Sequence, residues 1–325
     1  MIKDKRLVLS IMLIILFISF FISLGNGSLK LTPSLILKAI FYEDFGVNHQ
    51  IIYNVRLPRT IASAIVGSCL AAAGVILQGV MSNPLASPNI TGVSSGGGLC
   101  AFIILILFPE YYYLVPAGAF IGALSTTIII YALAWKDGVD PMRFVLSGIA
   151  ISSFLNAGTN ALMVFYPDRL TGAMQFMVGG LSSRTWNDIY MVLPYFLPAI
   201  VISLLFSQRL NILVLGDDMA STLGLNVQFT RFVLIIISSL LAASAVSIAG
   251  LLGFVGLIVP HMARLIIGND YKYLLPACML LGGSVMLLCD TLARVLFDPI
   301  EIPVGIITAI LGCPFFFYLL NKRRY

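Results

Sequence analysis

Apolar residues in this chain gather in long unbroken runs, without the alternation of a half-buried strand or the narrow stripe of a surface helix. Ten runs stand out, at about 7–24, 58–80, 92–108, 114–134, 143–165, 189–207, 230–248, 251–267, 274–294 and 304–320. Each approaches the roughly 20 residues that an α-helix needs to cross a bilayer. The pattern predicts an all-α integral membrane protein with about ten transmembrane helices. The first run follows Lys3, Lys5 and Arg6, as a secretory signal would. Its length, and the lack of a small-residue cleavage site ahead of a soluble segment, favour a retained span. Glycine and proline interrupt several runs, which a bilayer tolerates where other helices or a cavity satisfy the freed backbone.

The polar positions orient the runs. With the N-terminus inside, the inner segments hold Lys3, Lys5, Arg6, Lys136, Arg143, Arg209, Arg231, Arg264, Lys272, Lys322, Arg323 and Arg324. The outer segments hold Lys30, Lys38, Arg56, Arg59, Arg169, Arg184 and Arg294. Twelve against seven places both termini in the cytoplasm by the positive-inside rule, with an outer face that is itself basic. There is a faint internal echo: Gly74 precedes Pro84 as Gly250 precedes Pro260. Likewise Pro116-Ala117 precedes Gly122-Ala123 as Pro276-Ala277 precedes Gly282-Gly283. In this threading the copies run in opposite senses, as in the inverted repeats of transporters; chance pairing of small residues is the alternative.

Composition agrees. Hydrophobic residues make up 59% and charged residues 10%, against about 25% charged in a soluble domain. The net charge of +5 is scattered in patches between apolar runs, which argues against a nucleic-acid surface. The five cysteines, Cys69, Cys100, Cys278, Cys289 and Cys313, lie in apolar runs without a CxxC pair and read as small hydrophobes. No metal site, cofactor or disulfide framework is expected. The longest polar segments, about 25–57 and 166–188 outside and 208–230 inside, are too short for a nucleotide-binding domain, and no GxxxxGK[ST] occurs. Gly250, Gly253 and Gly256 lack a preceding strand and read as helix-contact residues, not a dinucleotide site. His49 and His261 form no catalytic set, so no enzyme activity is expected.

Four segments carry the interest. Arg56-Leu-Pro-Arg59 opens a helix at the outer surface, with Pro58 suited to its first turn and two guanidiniums on one face; they suit either acidic partners or lipid headgroups. Asp290 and Arg294 stand at i,i+4, with a local ion pair expected, and Arg294 lies near Glu301. On the inner loop, Asp217 and Asp218 suit a helix start and Gly224 its stop, with Met219, Leu223 and Leu225 as an apolar edge. That reads as a helix docked in a partner's groove or as an ordinary connector. Finally, residues 81–98 carry two prolines and four glycines among polar Asn83, Ser87, Asn89, Ser94 and Ser95, a broken segment that either lines a cavity or makes a plain turn.

These segments, in this order, resemble the FecCD-type permease family: RLPRTIA from Arg56, NPLASPNITGVSSGGG from Asn83, GGLSSRTW from Gly179, LGDDMASTLGLNV from Leu215, GFVGLIVPHMARLIIG from Gly253, DTLAR from Asp290 and EIPVGIITAILGCPFFFYLL from Glu301. The resemblance covers nearly the whole chain. It implies one polytopic domain over 1–325 with the ABC type II importer permease fold, in a bacterial cell membrane. It further implies a second permease subunit, identical or not, two cytoplasmic ATPase subunits and an extracytoplasmic substrate-binding protein. By the same resemblance Arg56, Arg59 and Arg294 face acidic residues of the binding protein. Gly216, Asp217, Asp218, Ala220, Leu223 and Gly224 belong to a coupling helix within the 208–230 loop. Asn83, Pro84, Leu85, Asp140 and Pro141 belong to gate loops, and residues 169–183 carry a short outer helix. The implied cargo is an iron-siderophore, haem or cobalamin. The competing reading is an ion-coupled secondary transporter of a small polar solute, which needs an acidic or histidine relay at mid-membrane.

Overall fold

The computed structural model describes residues 4–27, 46–88, 92–135 and 141–322. Asp140 therefore lies outside the described residues. Each apolar run becomes one helix: α1 (Lys5–Gly25), α2 (Leu57–Val80), α3 (Val93–Leu107), α4 (Val115–Ala134), α5 (Pro141–Phe165), then, after the short α6 (Leu170–Val178), α7 (Trp186–Leu205). Two short helices follow, α8 (Ser207–Leu213) and α9 (Asp217–Thr222), before α10 (Val227–Ala249), α11 (Val255–Ile267), α12 (Tyr271–Val295) and α13 (Val304–Lys322). Among the described residues, seven helices are long and apolar enough to cross a membrane, and α3, α11 and α13 are shorter apolar ones.

α1, α7, α10 and α12 start where polar caps take up their first N–H groups, not where hydropathy rises. The carboxylate of Asp4 accepts from the Arg6 N–H, Asn226 from Phe229 and Asp270 from Lys272. Thr185 and Asp188 form a capping box on α7. This is why α7, α10 and α12 begin three residues ahead of their apolar runs. Conversely α11 starts four residues late, because the chain from Gly250 to Phe254 leaves α10 without helical bonding.

α2 is the hub, packed against α12, α10 and α11. Its crossings are made by glycines. A Cβ on Gly74 would overlap the carbonyl of Gly256, and one on Gly67 the carbonyl of Gly282. In lipid, such close backbone approach supplies the dispersion that hydrophobicity cannot. Around the hub stand α1 on α12, α4 and α7 on α10, and the α3–α4 pair, itself closed by Gly96 against Gly122. α5 packs on α3 and α4 and leaves much of its length uncovered.

Two ends of the bundle are distinguishable. At one, Lys5 meets Asp270 at 3.4 Å, the Asn211 amide donates to Asp270 at 2.9 Å, and Arg264 donates to Gln78. At the other gather Arg56, Arg59, Asp290, Arg294 and Glu301, with the indole N–H of Trp186 donating to the Tyr53 carbonyl at 2.9 Å. Tyr53, Trp186 and Tyr190 contact one another in series at that end, and Tyr131, Trp135 and Phe232 make a second aromatic group elsewhere. Such rings prefer the membrane–water interface.

Candidate functional site

At the Arg56 end, α2 and α12 run antiparallel, which brings Arg59 to Asp290 across 231 positions of sequence. The Asp290 carboxylate is fully buried. It accepts from Arg59 Nε at 3.1 and 3.2 Å and from Arg59 Nη2 at 3.0 Å. The expected i,i+4 pair is present too, with Arg294 Nε 3.3 Å from Asp290 Oδ2. Arg294 also donates to the Ser23 carbonyl at 3.0 Å, the Ser23 hydroxyl at 2.9 Å and the Asn26 carbonyl at 3.1 Å, which ties the end of α1 to α12. Arg56 donates to the Leu24 carbonyl at 2.9 Å. Glu301, just before α13, closes the cluster on Arg59 Nη1 at 2.7 Å and stays half-exposed.

Arg56, Arg59 and Arg294 are 6%, 9% and 6% exposed. A guanidinium on an apolar helix face finds its cheapest counter-charge inside the bundle, on Asp290 and on orphan carbonyls at the end of α1. The i,i+3 spacing of Arg56 and Arg59 does put them on one face, and that face points inward.

At the opposite end lies α9. Gly216 at φ 101° turns the chain into it, Asp217 and Asp218 fill its first turn, and Gly224 at φ 80° ends it, with the Leu225 N–H returning to the Ala220 carbonyl at 3.0 Å. Ala220 is fully buried, whereas Met219 and Leu223 are each 60% exposed. Leu225 turns back to the core. Asp217 is held by Arg231 of α10 through Nη2 at 2.8 Å and Nη1 at 3.2 Å. Sequence reasoning counted Arg231 only as an orienting charge; its spacing of 14 residues from Asp217 matches no helical register, so nothing in the pattern joins them.

The Asn83 segment also sits at this end. α2 stops at Val80, Ser82 takes φ 46°, and the Asn83 side chain accepts from the Leu85 N–H at 2.9 Å. Asn83, Pro84 and Leu85 are exposed. The chain then turns back into the bundle: Pro88 lies against Gly256, in a cavity of about 140 Å³ shared with Leu70. Leu70 stands ten residues up α2 from Val80, about 15 Å at the helical rise. The 83–88 segment is thus re-entrant, and α3 is short because it starts inside the bundle. Pro141 opens α5.

A profile of the FecCD transport family matches residues 15–322. The chain belongs to the FecCD transport family. Curated relatives align with most of its length. The Fe(3+)-citrate import system permease YfmE of Bacillus subtilis is 40% identical over 98% of this chain and 96% of its own length. The hemin transport permease HmuU of Yersinia pestis is 37% identical over 99% and 97%, and the cobalamin import permease BtuC of Halobacterium salinarum 41% over 90% and 80%. An inward-facing structure of a metal-chelate type ABC transporter superposes with a TM-score of 0.88 at 32% identity, covering 98% of this chain and 99% of that one. This FecCD chain is therefore a multi-pass permease subunit of an ABC importer of the cell membrane. Family membership brings an ATPase and a binding protein as partners.

Proposed function

We propose that this FecCD chain spans the membrane ten times with both termini cytoplasmic, in the type II importer arrangement. In this reading it is one of two permease subunits that pass a ferric chelate of the citrate or hydroxamate class inward. ATP is hydrolysed by a separate subunit, and no bond of the cargo is made or broken here. The observation that carries the reading is α9: an apolar knob of Met219 and Leu223, outside the bundle and at the end opposite the arginine cluster. Such a helix fits a groove in a partner that drives conformational change from the cytoplasm. The cargo class rests on the ferric-citrate and hydroxamate permeases among its relatives. A proton- or ion-coupled carrier fits less well, because Asp290 is clasped by two guanidiniums and offers no free carboxylate to a relay.

A second permease subunit is supported by α5. Ser153, Asn156 and Asn160 lie exposed along one face of this membrane-length helix. Polar groups facing lipid cost free energy, whereas a water-filled path beside a second subunit satisfies them. The Asn83–Leu85 turn, with Asp140 and Pro141, serves as the inner gate in this scheme. Coupling passes through the 208–230 loop: closure of the ATPase dimer shifts α9 and rebalances two states of the bundle. Purified with its ATPase, the transporter should have the mass of two permease and two ATPase subunits. In proteoliposomes its uptake of ⁵⁵Fe-labelled citrate should require ATP and ignore a protonophore; ATP-independent, protonophore-sensitive uptake would sink the ABC reading in favour of a secondary carrier.

The binding protein is proposed to dock over the arginine cluster. Its acidic side chains would take over N–H donors such as Arg59 Nη1, which Glu301 occupies while half-exposed. Arg56 donates to the Leu24 carbonyl, and its neutralisation leaves the Asp290 pairs with Arg59 and Arg294 in place. Arg56→Gln should weaken docking by about threefold to tenfold, with the difference widest at low salt. Equal affinity of both proteins at low ionic strength would remove Arg56 from the docking surface.

A further inference from the structure

Beside the outer end of α7 lies a cavity of about 490 Å³ that the transport scheme leaves unused. Tyr112, Tyr113, Gln175, Ser183, Arg184 and Asn187 give it polar walls. Its size falls within the roughly 300–1,000 Å³ of small-molecule sites. The tyrosine rings and Asn187 are exposed, so it opens outward.

Arg184 is the group that the protein leaves under-bonded. Its Nε is buried without a hydrogen-bond partner. Its ion-pair contact, Nη1 to Asp188 Oδ1, is 3.8 Å long, beyond hydrogen-bond reach. Asp188 is committed to the helix cap, where Oδ2 accepts from the Thr185 N–H at 2.8 Å and from the Thr185 hydroxyl at 2.9 Å. Desolvation lowers the Arg184 pKa and Asp188 offsets this only in part, so the cation lacks counter-charge where it is held. Ser183, directly before it, takes φ 60°, a strained conformation of the kind found at ligand clamps. Arg59 and Arg294, by contrast, have their donors taken up inside the bundle.

We propose that this cavity is an anion subsite at the outer mouth, in which Arg184 receives a carboxylate of a small polycarboxylate chelate. The guanidinium fork matches a carboxylate with two parallel N–H donors. Tyrosine hydroxyls and the Gln175 and Asn187 amides suit the remaining carboxylate and hydroxyl oxygens of such a ligand. The wall carries one cation, Arg184, and one carboxylate, Asp188; Asp188 is committed to the Thr185 cap, which leaves the guanidinium to favour an anionic chelate over an uncharged one. The proposal rests on the ferric-chelate reading of the cargo and narrows it to the citrate class.

The test uses the purified transporter in nanodiscs, with citrate and ferric citrate as probes. Equilibrium dialysis of labelled citrate gives the affinity, and the fluorescence of Trp186, one of two tryptophans, reports occupancy beside Arg184. Saturable binding is expected, weakened at least about tenfold by Arg184→Gln and less by Arg184→Lys. The double variant Gln175→Ala/Asn187→Ala alters exposed side chains, so it keeps the test open should Arg184→Gln fail to fold; about threefold weaker binding is expected. A wild-type transporter that binds no citrate, or variants that bind it as tightly, would overturn the subsite. Citrate binding abolished by anionic lipid and restored in neutral discs would assign the cavity to a headgroup phosphate and overturn it equally. Uptake separates this from the cargo reading: import of a ferric hydroxamate but not ferric citrate overturns the citrate cargo, while dialysis still decides the subsite.

Discussion

Asp290→Ala is expected to destabilise the folded permease by about 3–5 kcal/mol, the range for removing one partner of a buried ion pair. The carboxylate is fully buried, accepts from Arg59 and is ion-paired with Arg294. Without it, two guanidiniums remain desolvated within the same few ångströms and repel each other. Arg59 would retain Glu301, and Arg294 would retain Ser23 and the Asn26 carbonyl, so the fold is weakened and not abolished. Asp290→Asn keeps an acceptor and the shape, and should cost less. Arg59→Met/Asp290→Leu removes one guanidinium with the carboxylate but leaves Arg294 without its ion-pair partner, so it should recover only part of the loss. Thermal unfolding in detergent, followed by size-exclusion and tryptophan fluorescence, measures all three. If Asp290→Ala melts within a degree or two of the wild type, the cluster is not a structural brace.

That cluster marks the boundary of what the sequence made legible. Ten apolar runs became ten helices because burial in lipid imposes a length and a composition on each helix separately, and both are visible residue by residue. The missed first turns of α7, α10 and α12 are polar because they are capped, and a hydropathy window discards the residues that do the capping. The local Asp290–Arg294 pair was legible from its i,i+4 spacing. The Arg59–Asp290 clasp was not, because helical periodicity carries no information about which distant helix lies alongside. The same gap hid Arg231 beneath Asp217, and gave no sign that the face Arg56 and Arg59 share is buried against α12 and the end of α1. Glycine positions fared better. Gly122 and Gly282, matched by their offsets from Pro116 and Pro276, both sit at tight crossings, against Gly96 and Gly67. Arg184 gave no signal at all, since an under-bonded cation and a satisfied one read alike in sequence.

The second large effect belongs to α9. Met219→Glu and Leu223→Glu should each weaken the complex with the ATPase at least about tenfold, because exposed apolar side chains that fill a partner's groove are the usual centres of binding energy. Neither change should move the melting temperature of the permease itself, as both side chains project from the bundle at 60% exposure. Arg231→Met separates attachment from transmission. Arg231 is 3% exposed and grips Asp217 with two N–H donors, so a push on α9 reaches α10 directly. Without the grip, α9 keeps its apolar knob and its Gly224 stop and should still bind the ATPase. ATP hydrolysis should continue, while uptake per ATP falls severalfold. Pull-down affinity, ATPase rate and ⁵⁵Fe uptake on the same preparations give the three quantities. Uptake that falls only in proportion to hydrolysis would show that force enters the bundle elsewhere, and would reduce Arg231 to a charge that holds one helix start in place.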